Sequence, residues 1–194
     1  MGKQLHLGNS APDFSVKDVF GKTIKLSKQK KSYTLVAFLR YAECPWCNLA
    51  IHRLTIEHPL LSDSNCSIIT FIQSPPDKIM TSIFEKHATP PPFPVVADPD
   101  LKIYELYDVK SSLKRGLVHH IVQAPQWVKS VAKYGLQNQH IDKNYFLAPA
   151  VFLISNNTKE IIYLSYTADL YEHDTFTKLY DTIAYHSIYQ KVPS

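Results

Sequence analysis

Cys44 and Cys47 stand two residues apart in Tyr41-Ala-Glu-Cys-Pro-Trp-Cys-Asn48, and they are the residues whose types and spacing carry chemistry. An apolar run from Tyr33 to Tyr41 precedes them and reads as a buried strand, while Pro45 to His58 reads as a helix that Pro59 limits. The cysteines therefore fall on a strand-to-helix turn. With Cys44 at the N-cap, Pro45 takes the first helical position, where its missing N–H is not needed and its fixed φ suits the helix. Cys47 then sits inside the first turn. Unpaired backbone N–H groups and the positive end of the helix dipole favour a thiolate there, and the spacing lets the two sulfurs close a small disulfide ring. The chemistry is reversible two-electron redox work, with Cys44 the more exposed, attacking sulfur and Cys47 the resolving one. Two nearby charges oppose each other: Arg40 would lower the Cys44 pKa and Glu43 would raise it, and the sequence does not say which points inward.

Composition bounds the rest. A chain of 194 residues, 45% of them hydrophobic, can bury a core as one domain, taken here as 1–194. Three cysteines make a poor stapling framework, so a Cys-x-x-Cys beside a strand and helix indicates redox or metal chemistry in a reducing compartment. Zinc would need four ligands, and His52, His58 and Cys66 offer no second pair, so no metal is expected. No apolar run reaches membrane-spanning length and the N-terminus has no apolar signal core, which makes the cytoplasm the default location. A net charge of +4 without a Lys/Arg block does not indicate nucleic acid.

Around the turn, residues 11 to 28 alternate on either side of Gly21 as a hairpin, and Cys66 to Gln73 forms a second buried strand with a helix from Asp77 to His87 after it. Val95 to Ala97 is a short strand, and Asp98 caps a helix through Tyr107. Residues 109 to 134 carry two amphipathic helical patterns with five Lys/Arg and no acid between Lys110 and Lys133. This helical insertion packs on the core with a solvated basic face, first of all, or it covers the site side, meets a second copy as a homodimer contact, or docks an acidic partner. His119 and His120, adjacent in it, cannot both face one site. A second hairpin, 150–154 with 161–166, and a helix from Tyr171 to Tyr189 close the chain. The fold class is α/β, with a central mixed sheet flanked by helices.

Four segments together resemble the peroxiredoxin-like branch of the thioredoxin-fold superfamily, related to alkyl hydroperoxide reductase and thiol-specific antioxidant proteins. They are Gly8 to Phe14 with the hairpin, Phe38 to Cys47, Phe93 to Asp100 with Tyr107 to Val109, and Ala148-Pro-Ala-Val-Phe-Leu-Ile154. The resemblance implies a thioredoxin-like fold and a dithiol oxidoreductase that reduces a peroxide or a protein disulfide. It further implies no cofactor beyond the cysteine pair, a thioredoxin- or glutathione-type reductant, and a cis Ala148–Pro149 bond against the cysteine turn. Where that family carries a proline and a threonine in its loop, this chain has Ala37 and Tyr41; Arg40 or Arg53 takes the place of its arginine only if the fold turns one inward. Tyr41, Arg40, Trp46 and Pro149 are thus the supporting candidates. The competing class is a thioredoxin-fold binding or regulatory protein with little turnover.

Overall fold

The computed structural model describes residues 4–110, 147–167, 170 and 172–192. At its centre is β3 (Tyr33–Leu39), seven residues all buried. A strand buried on both faces needs no polar alternation, which is why the sequence there is apolar or aromatic apart from Thr34, whose hydroxyl donates to Asn156 Oδ1 at 3.1 Å. It pairs in parallel with β4 (Cys66–Ile72) and antiparallel with β6 (Ala150–Ser155), Phe38 lying opposite Phe71 on one side and Ala150 on the other. With β5 (Val95–Ala97) beyond β4 and β7 (Ile161–Ser165) beyond β6, the sheet order is β5-β4-β3-β6-β7. The N-terminal hairpin, β1 (Ser15–Lys17) and β2 (Thr23–Lys25), pairs Val16 with Ile24 as a separate two-stranded unit, as expected.

Successive residues of β3 serve opposite cores. Leu35, Ala37 and Leu39 belong to the core that holds Ile51 and Leu54 of α1 (Pro45–Asp63) and Phe176, Leu179 and Ile183 of α4 (His173–Tyr189). Val36 and Phe38 point the other way, into an aromatic core. There the Phe38 ring stacks on Phe71 at 5.1 Å and meets Tyr104, Tyr107 and Phe152 at 4.9, 5.2 and 5.7 Å. This aromatic layer backs the strand whose end launches the cysteine turn.

The structure corrects two helix boundaries. Helix α1 does not stop before Pro59 but runs on to Asp63. An interior proline costs about 3 kcal/mol. Burial of the whole Leu61 side chain one half-turn later returns about 1.5–3 kcal/mol, and Ser64 N–H closes the end on the Leu60 carbonyl at 2.9 Å. The stretch expected to be helical from Asp77 to His87 is instead one turn, α2 (Pro76–Ile79), followed by a wider turn over Met80–Phe84 in which Glu85 N–H reaches back five residues to the Met80 carbonyl at 3.0 Å. His87 is left outside the helix. Asp98 caps α3 (Lys102–Leu106) as read from the sequence, its carboxylate accepting the N–H groups of Lys102, Ile103 and Tyr104 at 3.0, 2.7 and 3.3 Å. The expected insertion at 109–134, with His119 and His120, lies outside the described residues apart from its first two. Among the described residues no helix is long and apolar enough to cross a membrane.

Candidate active site

The chain enters the site at Arg40, the first residue after β3, and leaves it down α1. Cys44 is the N-cap of α1, with extended dihedrals (φ −68°, ψ 123°), and Pro45 is the first helical residue. The turn closes by Cys44 N–H donating to the Tyr41 carbonyl at 3.1 Å. Arg40 bends back over it: its side chain is only 1% exposed, and Nη2 donates to Cys44 Sγ at 3.1 Å while its backbone N–H donates to Cys47 Sγ at 3.3 Å. One residue therefore holds both sulfurs, one by its guanidinium and the other by its main chain.

These contacts split the two thiols. Burial by itself pushes the Cys44 pKa up, but the Cys47 thiol donating to it, the Arg40 charge, and the N–H groups of Cys47 and Trp46 overcome that and bring it down to about 6. Cys47 is pushed well up, by burial first, then by the proton it shares with Cys44 and by the thiolate charge next to it. Burial also opposes the charge on Arg40, but Cys44, Cys47 and Tyr41 together outweigh it and hold the guanidinium protonated. Of the two sulfurs, Cys44 is the one that carries the charge near neutral pH while Cys47 keeps its proton. Such a site can attack an electrophilic oxygen or sulfur with Cys44 and close a disulfide with Cys47.

A profile of the AhpC/TSA family matches residues 7–163. The chain belongs to the AhpC/TSA family. Membership supports a peroxidase or thiol oxidoreductase activity for the protein. No curated protein matches the sequence. Among solved structures, the peroxidoxin BcpB of Mycobacterium tuberculosis superposes with a TM-score of 0.67 at 13% identity, over 92% of this chain and 96% of that one. A yeast mitochondrial 1-Cys peroxiredoxin does so at 0.69 with 14% identity, over 98% of this chain and 82% of that one. The putative thiol:disulfide interchange protein DsbE of Chlorobium tepidum follows at 0.63 with 16% identity, over 93% and 99%. At these identities the likenesses establish the thioredoxin-like α/β fold.

In this AhpC/TSA member the inward arginine is Arg40. Arg53 turns away, pairing with Glu57 at 2.6 Å and lying over the Phe176 ring at 5.6 Å. Tyr41 is buried, its ring 6.0 Å from the Arg40 guanidinium carbon, and Trp46 is buried in the same core cluster as both cysteines. The expectation that Cys44 is the exposed sulfur is overturned: it is 1% exposed, as is Cys47, because Tyr41, Ala42, Trp46 and both cysteines pack into the core on the α1 face while Glu43 stays half-buried. Charge, and not access, distinguishes the two.

The expected cis bond before Pro149 is also overturned, since no cis peptide is present among the described residues. Pro149 precedes the first ladder residue of β6, so a trans proline there costs no sheet hydrogen bond, and trans is the lower-energy isomer. The register still sets Pro149 at the end of β3 where the cysteine turn departs. Cys66, at the start of β4, is a buried small hydrophobe whose pKa burial pushes up to about 12. His52 is exposed on α1, and among the described residues no three His, Cys, Asp or Glu side chains gather as a metal site would require.

Asn48 is not singled out by the sequence, and Ser74, which the sequence places at the cap of the next helix, instead holds the cysteine turn. Ala42 N–H donates to Ser74 Oγ at 2.9 Å, and Asn48 Nδ2 donates to the carbonyls of Ala42 and Cys44 at 2.6 and 3.0 Å. The signal for Asn48 was its position: asparagine suits caps and loop contacts better than a helix body, and here it is the fourth residue of α1.

Proposed function

We propose that this protein reduces small peroxides through its Cys44–Cys47 pair, and that the Arg40 guanidinium 3.1 Å from Cys44 Sγ is the observation that carries this reading. The guanidinium sets its positive charge beside the sulfur that would attack, so it can also stabilise the negative charge that develops on the departing oxygen. Cys44 thiolate attacks the near oxygen, the O–O bond breaks, and the far oxygen leaves as an alkoxide or hydroxide that takes a proton from solvent. Cys44 is then a sulfenic acid. Cys47 sulfur attacks Cys44 sulfur, water departs, and the Cys44–Cys47 disulfide remains. A thioredoxin- or glutathione-type thiol returns two electrons and two protons, which needs no cofactor beyond the cysteines. We place this cycle in the cytoplasm, where such reductants keep thiols reduced, and assign it to a single domain over residues 1–194.

Burial of Cys44 supports a small oxidant over a folded protein disulfide, because a disulfide must align with the sulfur along the bond that breaks, whereas hydrogen peroxide is little larger than water. The Cys-x-x-Cys spacing supports disulfide reduction as the second reading. Reduced protein mixed with hydrogen peroxide should lose two thiols and form the Cys44–Cys47 disulfide, seen by mass spectrometry. Cys44→Ser should abolish turnover, and Cys47→Ser should stop after one oxidation with a dimedone-reactive sulfenic acid on Cys44. Turnover of insulin disulfides without consumption of peroxide would move the assignment to the second reading. A protein inert to both oxidants would be a thioredoxin-fold binding protein.

A further inference from the structure

Asn48 ties three pieces of chain together at the site. Its Nδ2 donates to the carbonyls on either side of Glu43, those of Ala42 and Cys44. Carbonyl oxygens only accept, so the amide has one orientation, with Oδ1 facing away from the turn. Oδ1 lies 2.8 Å from Nε2 of His87. An amide oxygen also only accepts, so Nε2 carries a proton and donates, in the neutral ring and in the imidazolium alike. His87 is itself anchored, its backbone N–H donating to the Ile83 carbonyl at 3.2 Å in a segment whose Ile79 and Ile83 are fully buried. Every polar atom of the Asn48 side chain thus has a partner, in the turn that leads into α1 and in the segment beyond α2, and the Cys44 carbonyl also accepts the backbone N–H of Asn48 at 3.0 Å.

The stapled loop is the one that spans the Arg40–Cys44 contact. Gln73 N–H fixes its start by donating to the Arg40 carbonyl at 3.0 Å, Ser74 Oγ fixes its middle at Ala42, and Asn48 fixes its end at Cys44. A charge-assisted hydrogen bond weakens steeply with distance and angle. Small drift of the Cys44 carbonyl, two bonds from the atom that bears the side chain, therefore changes how well the thiolate meets the guanidinium.

We propose that Asn48, oriented by His87, is a positioning residue that sets the Cys44 sulfur against the Arg40 guanidinium. The inference rests on Cys44 being the attacking thiolate. A merely structural amide would lower stability when removed and leave the ionisation of Cys44 alone, so the experiment reads ionisation. Full-length reduced protein is titrated by thiolate absorbance at 240 nm and by the rate of iodoacetamide capture at Cys44, resolved by mass spectrometry, for the wild type, Asn48→Ala, His87→Ala and His87→Gln.

Asn48→Ala should raise the Cys44 midpoint by about one pH unit and slow capture at pH 6 about fivefold. His87→Ala should move it the same way by a smaller amount. His87→Gln, whose amide nitrogen can donate from nearly the same place as Nε2, should restore the wild-type midpoint. If Asn48→Ala does not fold, the half-buried His87 decides through its own pair of variants. A wild-type midpoint near 6 that neither alanine variant moves overturns the positioning role alone; a wild-type Cys44 that titrates as an ordinary thiol overturns the thiolate reading as well.

Discussion

Replacing Arg40 with methionine keeps a long apolar stem in the core and removes the charge beside Cys44. The guanidinium nitrogen is 3.1 Å from Sγ and the pair is buried. Two unit charges about 4 Å apart attract by about 4 kcal/mol at an effective dielectric of 20, and an opposite charge at such range lowers a pKa by about 1–3 units. Taking about 2 units, or about 3 kcal/mol, Arg40→Met should carry the Cys44 midpoint from about 6 to about 8. The Cys47 thiol and the two N–H groups at the helix start then remain as its stabilisers. At pH 7 a midpoint of about 8 leaves about one tenth of the thiolate that a midpoint of about 6 gives, so peroxide consumption in stopped flow should slow about tenfold from ionisation alone. Repeating the assay at pH 10, where both proteins are ionised, isolates the second role: a remaining deficit is the share of transition-state charge that Arg40 stabilised. A midpoint within half a unit of wild type in Arg40→Met would refute the electrostatic argument for this site.

Three further outcomes are expected. A thiol whose folded pKa is depressed adds stability that is complete above its unfolded value and is lost as pH falls through the folded one. The melting temperature of the reduced protein should therefore rise between about pH 6 and 9 relative to Cys44→Ser. His87, whose pKa burial and then His52 lower, contributes a slope of the same sign to both proteins, so it cancels in that comparison. Cys66, its pKa pushed up by burial to about 12, should resist iodoacetamide in the native protein at pH 8, and Cys66→Ala should leave peroxide turnover unchanged, as peptide mapping and the same kinetic assay will report. Phe38→Ala removes a fully buried ring that touches four others and should cost about 3–5 kcal/mol in urea unfolding, with activity retained by the folded fraction.

What the sequence disclosed was what neighbouring residues decide. The apolar run into Cys44, the proline after it, the two hairpins and the Asp98 cap are local patterns, and each stands where the pattern put it. What it concealed depends on residues far apart in the chain. Pro59 signals a helix end, but Leu61 has a core to fill and carries α1 past it. Arg40 and Arg53 were equivalent as candidates until Glu57 and Phe176 claimed one and the cysteine turn the other. The burial of Cys44 needed the packed α1 face, and the tie from His87 to Asn48 spans 39 residues that no periodicity links. The cis expectation for Pro149 came from likeness, and the pairing of β6 with β3 accommodates a trans bond.

In the proposed cycle, the contacts around Cys47 Sγ, the Arg40 backbone N–H among them, would give the two oxidation steps an order. While Cys44 is anionic, burial, the shared proton and the neighbouring negative charge all keep Cys47 a thiol, and only Arg40 pulls the other way. Conversion of Cys44 to a neutral sulfenic acid erases the shared proton and the repelling charge in one stroke, while Arg40 stays in place with its cation and its N–H. In the proposed cycle the resolving sulfur would thus stay silent until there is something to resolve, and one arginine would serve two nucleophiles in succession. The interlock is visible as a lag: Cys47 should be untouched by alkylating agents in the reduced enzyme and become reactive only after peroxide has reached Cys44.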